Sequence, residues 1–187
     1  MENWQVTEWA QHFIREQVRE GDLCIDATMG NGNDTLLLAR LAGTAGHVLA
    51  FDIQEQALEN TGRRLKQEGL DKNCTLLLKS HEYMSCFAKE ESVSCIVFNL
   101  GYLPGGSHST ATTGETTLRA LRAGLKLLKK KGLMTICIYS GGDTGYEEKE
   151  AVISFIRKLS PREYLVIQSE YVNRPNDPPV PVLIIKL

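Results

Sequence analysis

Asp26, Gly30, Gly32 and Asp52 are the residues whose types and spacing first point to chemistry. A short apolar run, Leu23 to Ala27, leads through Thr28, Gly30, Asn31 and Gly32 into a helical pattern carried by Leu36, Leu37, Ala39 and Leu41. A strand, a glycine turn and a helix bring a backbone close to a nucleotide-like ligand. Glycine serves there because a Cβ would block both the turn and the ligand's approach. Asp52 ends a second apolar run that starts at His47. It stands roughly twenty residues beyond the glycines, where a carboxylate meets ribose hydroxyls. A dinucleotide fingerprint would have a third glycine where Thr35 stands, and the carboxylates Asp26 and Asp34 would repel a pyrophosphate. They suit a ligand with a positive centre and an amino group, and S-adenosylmethionine has both. The plainer reading is a glycine turn of the kind that joins strand to helix in many folds.

The fourth apolar run, Ser94 to Phe98, ends at Asn99 and continues as Leu100-Gly101-Tyr102-Leu103-Pro104-Gly105-Gly106. In a doubly wound sheet this strand neighbours the glycine turn, so Asn99 is expected to face the reacting centre. An amine attacks a sulfonium methyl only with its lone pair free, so its N–H hydrogens need acceptors such as an Asn carbonyl. An aromatic ring nearby can stack on a base. The plainer reading is a strand end followed by an ordinary Pro-Gly loop. After the third run, Cys74 to Lys79, stand Ser80 and His81, placed to touch a base at the sheet's carboxyl edge. A capping or surface histidine is the equal alternative for His81.

These residues need an α/β frame, and the chain supplies its parts. A leading amphipathic helix spans Trp4 to Val18, with Trp9, Phe13, Val6 and Val18 as its apolar stripe. Gln54 to Gln67 is a second crossover helix. Thr112-x-x-Glu115 opens a further helix that buries Leu118, Leu121, Leu125 and Leu128. Arg119, Arg122, Lys126 and Lys129 form its basic face, continued by Lys130 and Lys131, either a solvated surface or a track for RNA phosphates. Leu133 to Tyr139 is a fifth strand and Glu147 to Leu159 a helix. Tyr164 to Tyr171 and Val180 to Leu187 have no helix between them and should pair as an antiparallel hairpin across a stiff Asn/Pro loop. The expected architecture is a mostly parallel seven-stranded sheet with helices on both faces and an antiparallel C-terminal hairpin. One domain over 1–187 is expected, with 1–20 as leading helix and 164–187 as hairpin.

Composition narrows the function classes. A hydrophobic fraction of 42% with 24% charged residues is that of a soluble globular protein. A net charge of −2 argues against gripping nucleic acid by overall charge, and leaves local patches open. No apolar run approaches a membrane span, and Met1-Glu-Asn-Trp lacks a basic-then-apolar leader, so a cytoplasmic location is expected. Five scattered cysteines without a C-x-x-C pair read as buried free thiols, and no metal site is expected.

Asn99-x-x-Tyr102 resembles the Asn-Pro-Pro-Tyr turn of amino-group methyltransferases. More specifically, Asp26 to Thr35, Phe51-Asp-Ile-Gln54, Phe98 to Gly106, Thr116-Thr117 and Asn173…Asn176…Pro178-Pro179 resemble a family of small class I methyltransferases. These were labelled rRNA methylases, and members act on tRNA wobble uridine, converting 5-aminomethyl-2-thiouridine to its 5-methylaminomethyl form. The resemblance implies a Rossmann-like class I methyltransferase fold, S-adenosylmethionine as methyl donor and an anticodon-loop amine as acceptor. It implies cofactor contacts at Asp26, Gly30, Gly32, Asn33 and Asp52, and Thr28, Asn31, Asp34, Gln54, Ser80, His81 and Asn99 are expected to join them. Asn99, Gly101 and Tyr102 would form the transfer centre. Tyr102, Leu103, Pro104, Gly105, Gly106, Asn173 and Asn176 would approach the tRNA. One departure is Ser107-His108, where the family pattern has an acidic-then-basic pair. A homodimer is compatible with the resemblance. An rRNA methyltransferase and a small-molecule amine N-methyltransferase are the rival readings. A nucleotide-binding dehydrogenase is disfavoured by Thr35 and the hairpin ending.

Overall fold

The computed structural model describes residues 5–101, 114–140 and 145–187. The elements are α1 (Val6–Gln17), β1 (Leu23–Asp26), α2 (Asn33–Ala42), β2 (His47–Asp52), α3 (Glu55–Glu68) and β3 (Cys74–Leu78). They continue with β4 (Val93–Leu100), α4 (Gly114–Leu127), β5 (Leu128–Ile138), α5 (Gly145–Ile156), β6 (Tyr164–Gln168) and β7 (Val180–Lys186). The seven strands form one sheet in the order β3-β2-β1-β4-β5-β7-β6. The first five run parallel, while β7 lies antiparallel between β5 and β6. This is the sheet and the C-terminal hairpin expected from the apolar runs.

The strands read as continuous apolar runs because both faces are covered. Ile25, Phe51, Ile96 and Phe98 pack on one side with Leu121 and Leu125 of α4 and Val152 of α5. Cys24, Val48, Cys95 and Val97 pack on the other with Ile14 of α1, Leu38 of α2 and Leu65 of α3. Strand order reverses between β1 and β4, which opens a crevice at their carboxyl ends where such sheets bind ligands.

Two elements differ from the sequence reading. In α1 the buried stripe is Val6, Ala10 and Ile14, continued by Val18. Trp9 and Phe13 stack on each other at 4.7 Å along the helix flank and are only half-buried. Spacing by four residues sets the buried line, and the large aromatics sit one ridge over. The second difference is Leu128, which begins β5 instead of ending α4. The helix passes into the strand without a loop, and Lys131 turns through φ 64° just before Gly132. A Cβ on Gly132 would fall 2.8 Å from the Lys129 carbonyl, so the bend fits only glycine.

At the opposite, amino edge the Asp22 carboxylate accepts from Lys129 Nζ (2.6 Å), Arg19 N (2.8 Å) and Ser94 Oγ (2.9 Å). Burial pushes its pKa up, and the bonds from Lys129, Arg19 and Ser94 together outweigh that and bring it below the usual carboxylate range. Asp22→Ala is expected to lower unfolding free energy by about 1–3 kcal/mol at pH 7, read by urea denaturation. A lowered folded pKa stabilises above the unfolded value of about 4, so the difference between variant and wild type should shrink as pH falls below it.

Candidate active site

The segment after β1 is hooked to both neighbouring strands before it turns. Ala27 N donates to Val97 O and Met29 N to Phe51 O, each at 2.9 Å. Asn99 N donates to Thr28 Oγ1 at 2.7 Å. Asp26 is fully buried, with Oδ2 accepting from Thr35 Oγ1 (2.6 Å) and Oδ1 from Thr28 N (3.2 Å). The carboxylate thus holds the start of the turn and the start of α2 together.

Asp52 closes the other side, accepting from Gly30 N (2.9 Å) and Gln54 N (3.0 Å). Gly32 precedes α2 with φ 78°, and a Cβ there would lie 2.6 Å from Thr61 Oγ1. Thr61 donates in turn to Gly30 O at 3.1 Å. From α3, Arg64 donates to Asn31 O and to Asn33 Oδ1 (2.8 Å), and Asn60 Nδ2 donates to Asn31 Oδ1 (3.1 Å). The side-chain oxygens of Asn31 and Asn33 are therefore directed to α3.

Burial first, and then the Asp34 charge, push the Asp26 carboxyl up to about 7 against the bonds from Thr35 and Thr28. A raised folded pKa means the native state binds more protons than the unfolded chain between pH about 4 and 7. Stability contributed by Asp26 therefore falls as pH rises through that window. Asp26→Asn should lack this slope: its melting temperature relative to wild type is expected to climb between pH 5 and 8, read by differential scanning calorimetry.

Among the described residues, two buried acceptors at this edge have no hydrogen-bond partner, Asn99 Oδ1 and His81 Nε2. Asn99 Nδ2 donates to Asp34 Oδ2 at 2.7 Å, which leaves the amide oxygen free. His81 Nδ1 lies 3.1 Å from Ala27 O, and because a carbonyl only accepts, Nδ1 carries the proton and Nε2 a lone pair. Burial lowers the His81 pKa, so the ring is neutral at pH 7 and Nε2 is an acceptor. Ser80 caps the short 3-10 turn His81–Cys86, with Oγ accepting from Glu82 N at 3.4 Å. Capping thus falls to Ser80, and His81 reaches the end of β1. Gly101 follows at φ 153°, where a Cβ would be 2.9 Å from Tyr139 Cβ. Acceptors left over in a buried, glycine-lined crevice fit a ligand bearing amino and hydroxyl groups.

The profile of the family described as "Putative rRNA methylase" matches residues 48–185. The chain belongs to that family. It is 40% identical over 177 residues to a tRNA (mnm(5)s(2)U34)-methyltransferase, chloroplastic, of Arabidopsis thaliana, covering 89% of this chain and 65% of that one. The chain thus spans just under two thirds of that relative's length. A "putative rRNA-methylase" from Clostridium thermocellum superposes with TM-score 0.96 at 40% identity, over 100% of both chains. A methyltransferase from Streptococcus mutans, solved in complex with SAH, superposes with TM-score 0.90 at 37% identity, also over 100% of both. The fold is that of class I methyltransferases, as the sequence resemblance implied.

In this rRNA methylase family member, Asp26, Thr28, Gly30, Asp34, Asp52, His81 and Asn99 come together at one sheet edge through the bonds described, with Gly32 and Gly101 in the adjoining turns. Gln54 joins them at the start of α3. Tyr102, Leu103, Pro104, Gly105, Gly106, His108 and Thr112 lie outside the described residues. Asn173 and Asn176 are exposed on the loop between β6 and β7. That loop is tied to the sheet by Asp177, which accepts from Lys149 Nζ at 2.7 Å and, through its carbonyl, from Ser140 Oγ at 3.2 Å. On α4, Arg119 pairs with Glu82 (3.1 Å), Arg122 lies over the Phe155 ring and Lys129 pairs with Asp22. Those three cations are engaged by the protein's own surface. Sequence reasoning missed Gln11, Thr61 and Arg64, because nothing local connects α1 or α3 to a turn dozens of residues away.

Proposed function

We propose that the chain is an S-adenosylmethionine-dependent N-methyltransferase acting on the aminomethyl group of a wobble 5-aminomethyl-2-thiouridine in tRNA. The observation that carries this reading is the buried Asn99 Oδ1, without a partner among the described residues, beside the glycine turn in a chain whose Arabidopsis relative is named for that wobble position. S-adenosylmethionine supplies an electrophilic methyl when bound. The Gly30–Gly32 turn, Asp52 and His81 Nε2 would hold it, as acceptors and as close backbone. Its SAH-bound neighbour in Streptococcus mutans supports the same donor.

The chain's own part is binding and aiming. Asn99 Oδ1 accepts an N–H of the substrate amine, which turns the nitrogen lone pair away from the amide and toward the donor. Asn99 is itself held through its backbone N–H by Thr28 and through its side chain by Asp34, so little reorganisation is needed on binding. Gly101 lets the chain after β4 pass close to Tyr139. Burial pushes the Tyr139 hydroxyl up to about 12, so it stays protonated at working pH. The exposed loop carrying Asn173, Arg174 and Asn176 borders the same edge and would meet the RNA. A wobble base is unpaired in its loop and is reached with less distortion than a duplex base.

Purified protein with labelled S-adenosylmethionine should methylate tRNA carrying the aminomethyl nucleoside and leave ribosomal RNA unlabelled. Label in ribosomal RNA alone would move the substrate to the one in the family's description. Label only in small amines would remove RNA altogether.

A further inference from the structure

The Asp34 carboxylate makes two bonds that determine what Asn99 presents. Its Oδ1 accepts from Gln11 Nε2 of α1 and its Oδ2 from Asn99 Nδ2 of β4, both at 2.7 Å. Asp34 is 6% exposed and Gln11 is half-buried, so the bonds are shielded from competing water. Both Asp34 oxygens act as acceptors here, and the bond to Nδ2 holds the Asn99 amide with NH2 inward and the oxygen out. That oxygen is one of the two buried acceptors at the site without a partner among the described residues. Gln11 matters for the same reason, since its NH2 occupies the other carboxylate oxygen and stops the group rotating. An amide without this partner could flip and offer two donors to an amine, which needs an acceptor.

We propose that Asp34 is a positioning residue, held by Gln11, that fixes the Asn99 amide so its oxygen faces the substrate amine. The inference rests on the amine-acceptor reading of Asn99, and it assigns Asp34 to orientation instead of direct cofactor contact. It also gives α1 a part in the site, since this helix both covers the sheet at Val6, Ala10 and Ile14 and supplies Gln11.

The test combines kinetics with a readout that needs no substrate. In methyl transfer to aminomethyl-bearing tRNA, Asp34→Asn is expected to lower kcat about 10- to 100-fold with KM for S-adenosylmethionine within about 3-fold. Asp34→Asn combined with Asn99→Ala should be no slower than Asn99→Ala alone, because the first acts through the second. Gln11→Ala, a milder change on a half-exposed helix, should cost about 2- to 5-fold in kcat and be silent in the Asn99→Ala background. Multiplying effects, or a rise in KM for the cofactor with kcat intact, would overturn the proposal. In NMR of the 15N-labelled full chain, the Asn99 side-chain NH2 protons should exchange slowly with water in wild type and faster in Asp34→Asn and Gln11→Ala. Unchanged exchange in both would also overturn it. If wild type fails to methylate this tRNA while exchange responds as expected, the substrate reading falls and the positioning role stands.

Discussion

Asn99→Ala is expected to lower kcat for methyl transfer about 10²- to 10³-fold, the size of effect seen when one preorganised polar group is removed from a reacting centre. The same variant should bind S-adenosylhomocysteine within a few-fold of wild type by calorimetry, because the turn is held elsewhere. Gly30 N remains on Asp52 and the Thr61 hydroxyl on Gly30 O. Truncation also leaves Asp34 Oδ2 and Thr28 close to their places, since Thr28 accepts from the backbone N–H of residue 99. A drop of that size in kcat with cofactor affinity preserved is the signature of a group that works on the acceptor amine. Normal cofactor binding together with the wild-type rate would show that Asn99 has no such part.

Gly32→Ala carries the second large expectation. At φ 78° a side chain is strained, and the added Cβ would lie 2.6 Å from Thr61 Oγ1 and 2.7 Å from its Cγ2. Thr61 is fully buried and bonded to Gly30 O, so it has little room to give. The variant should lose about 1–3 kcal/mol of stability in urea denaturation. It should also bind S-adenosylhomocysteine at least about tenfold more weakly, because moving Thr61 moves the Gly30 carbonyl and the turn. Thr61→Ala in the same background removes the obstructing atoms and should restore part of both. No rescue would mean that the positive φ, and not the crowding, sets the cost.

The frame was readable because each buried strand is an apolar run closed by a polar or glycine signal. Leu23 to Asp26, His47 to Asp52 and Ser94 to Asn99 each place a polar group where the strand leaves the core. The hairpin was readable because no helical pattern separates Tyr164 to Gln168 from Val180 to Lys186. Trp9 and Phe13 misled because size is a weaker guide than spacing: the Val6–Ala10–Ile14 line is smaller and is the one buried. His81 was ambiguous because burial, the deciding property, comes from β1 and Phe98, which the sequence around residue 81 does not contain.

The same limit applies within the site. The spacing that sets Asp26 beside the glycine turn does not show that it also accepts from Thr35 and Thr28 within the interior. Nor does it show that the Asp34 oxygens accept from side chains of α1 and β4. Residue types and spacing identify the edge where chemistry occurs. Which carboxylate faces the ligand and which one holds its neighbours depends on contacts across 23 and 65 residues of chain.

Nucleoside mass spectrometry of tRNA from cells with and without this gene tests the central claim most directly. Loss of 5-methylaminomethyl-2-thiouridine with accumulation of the 5-aminomethyl precursor, restored by the wild-type gene but not by the Asn99→Ala form, is the expected result. An unchanged wobble nucleoside profile in the deletion would contradict the tRNA assignment.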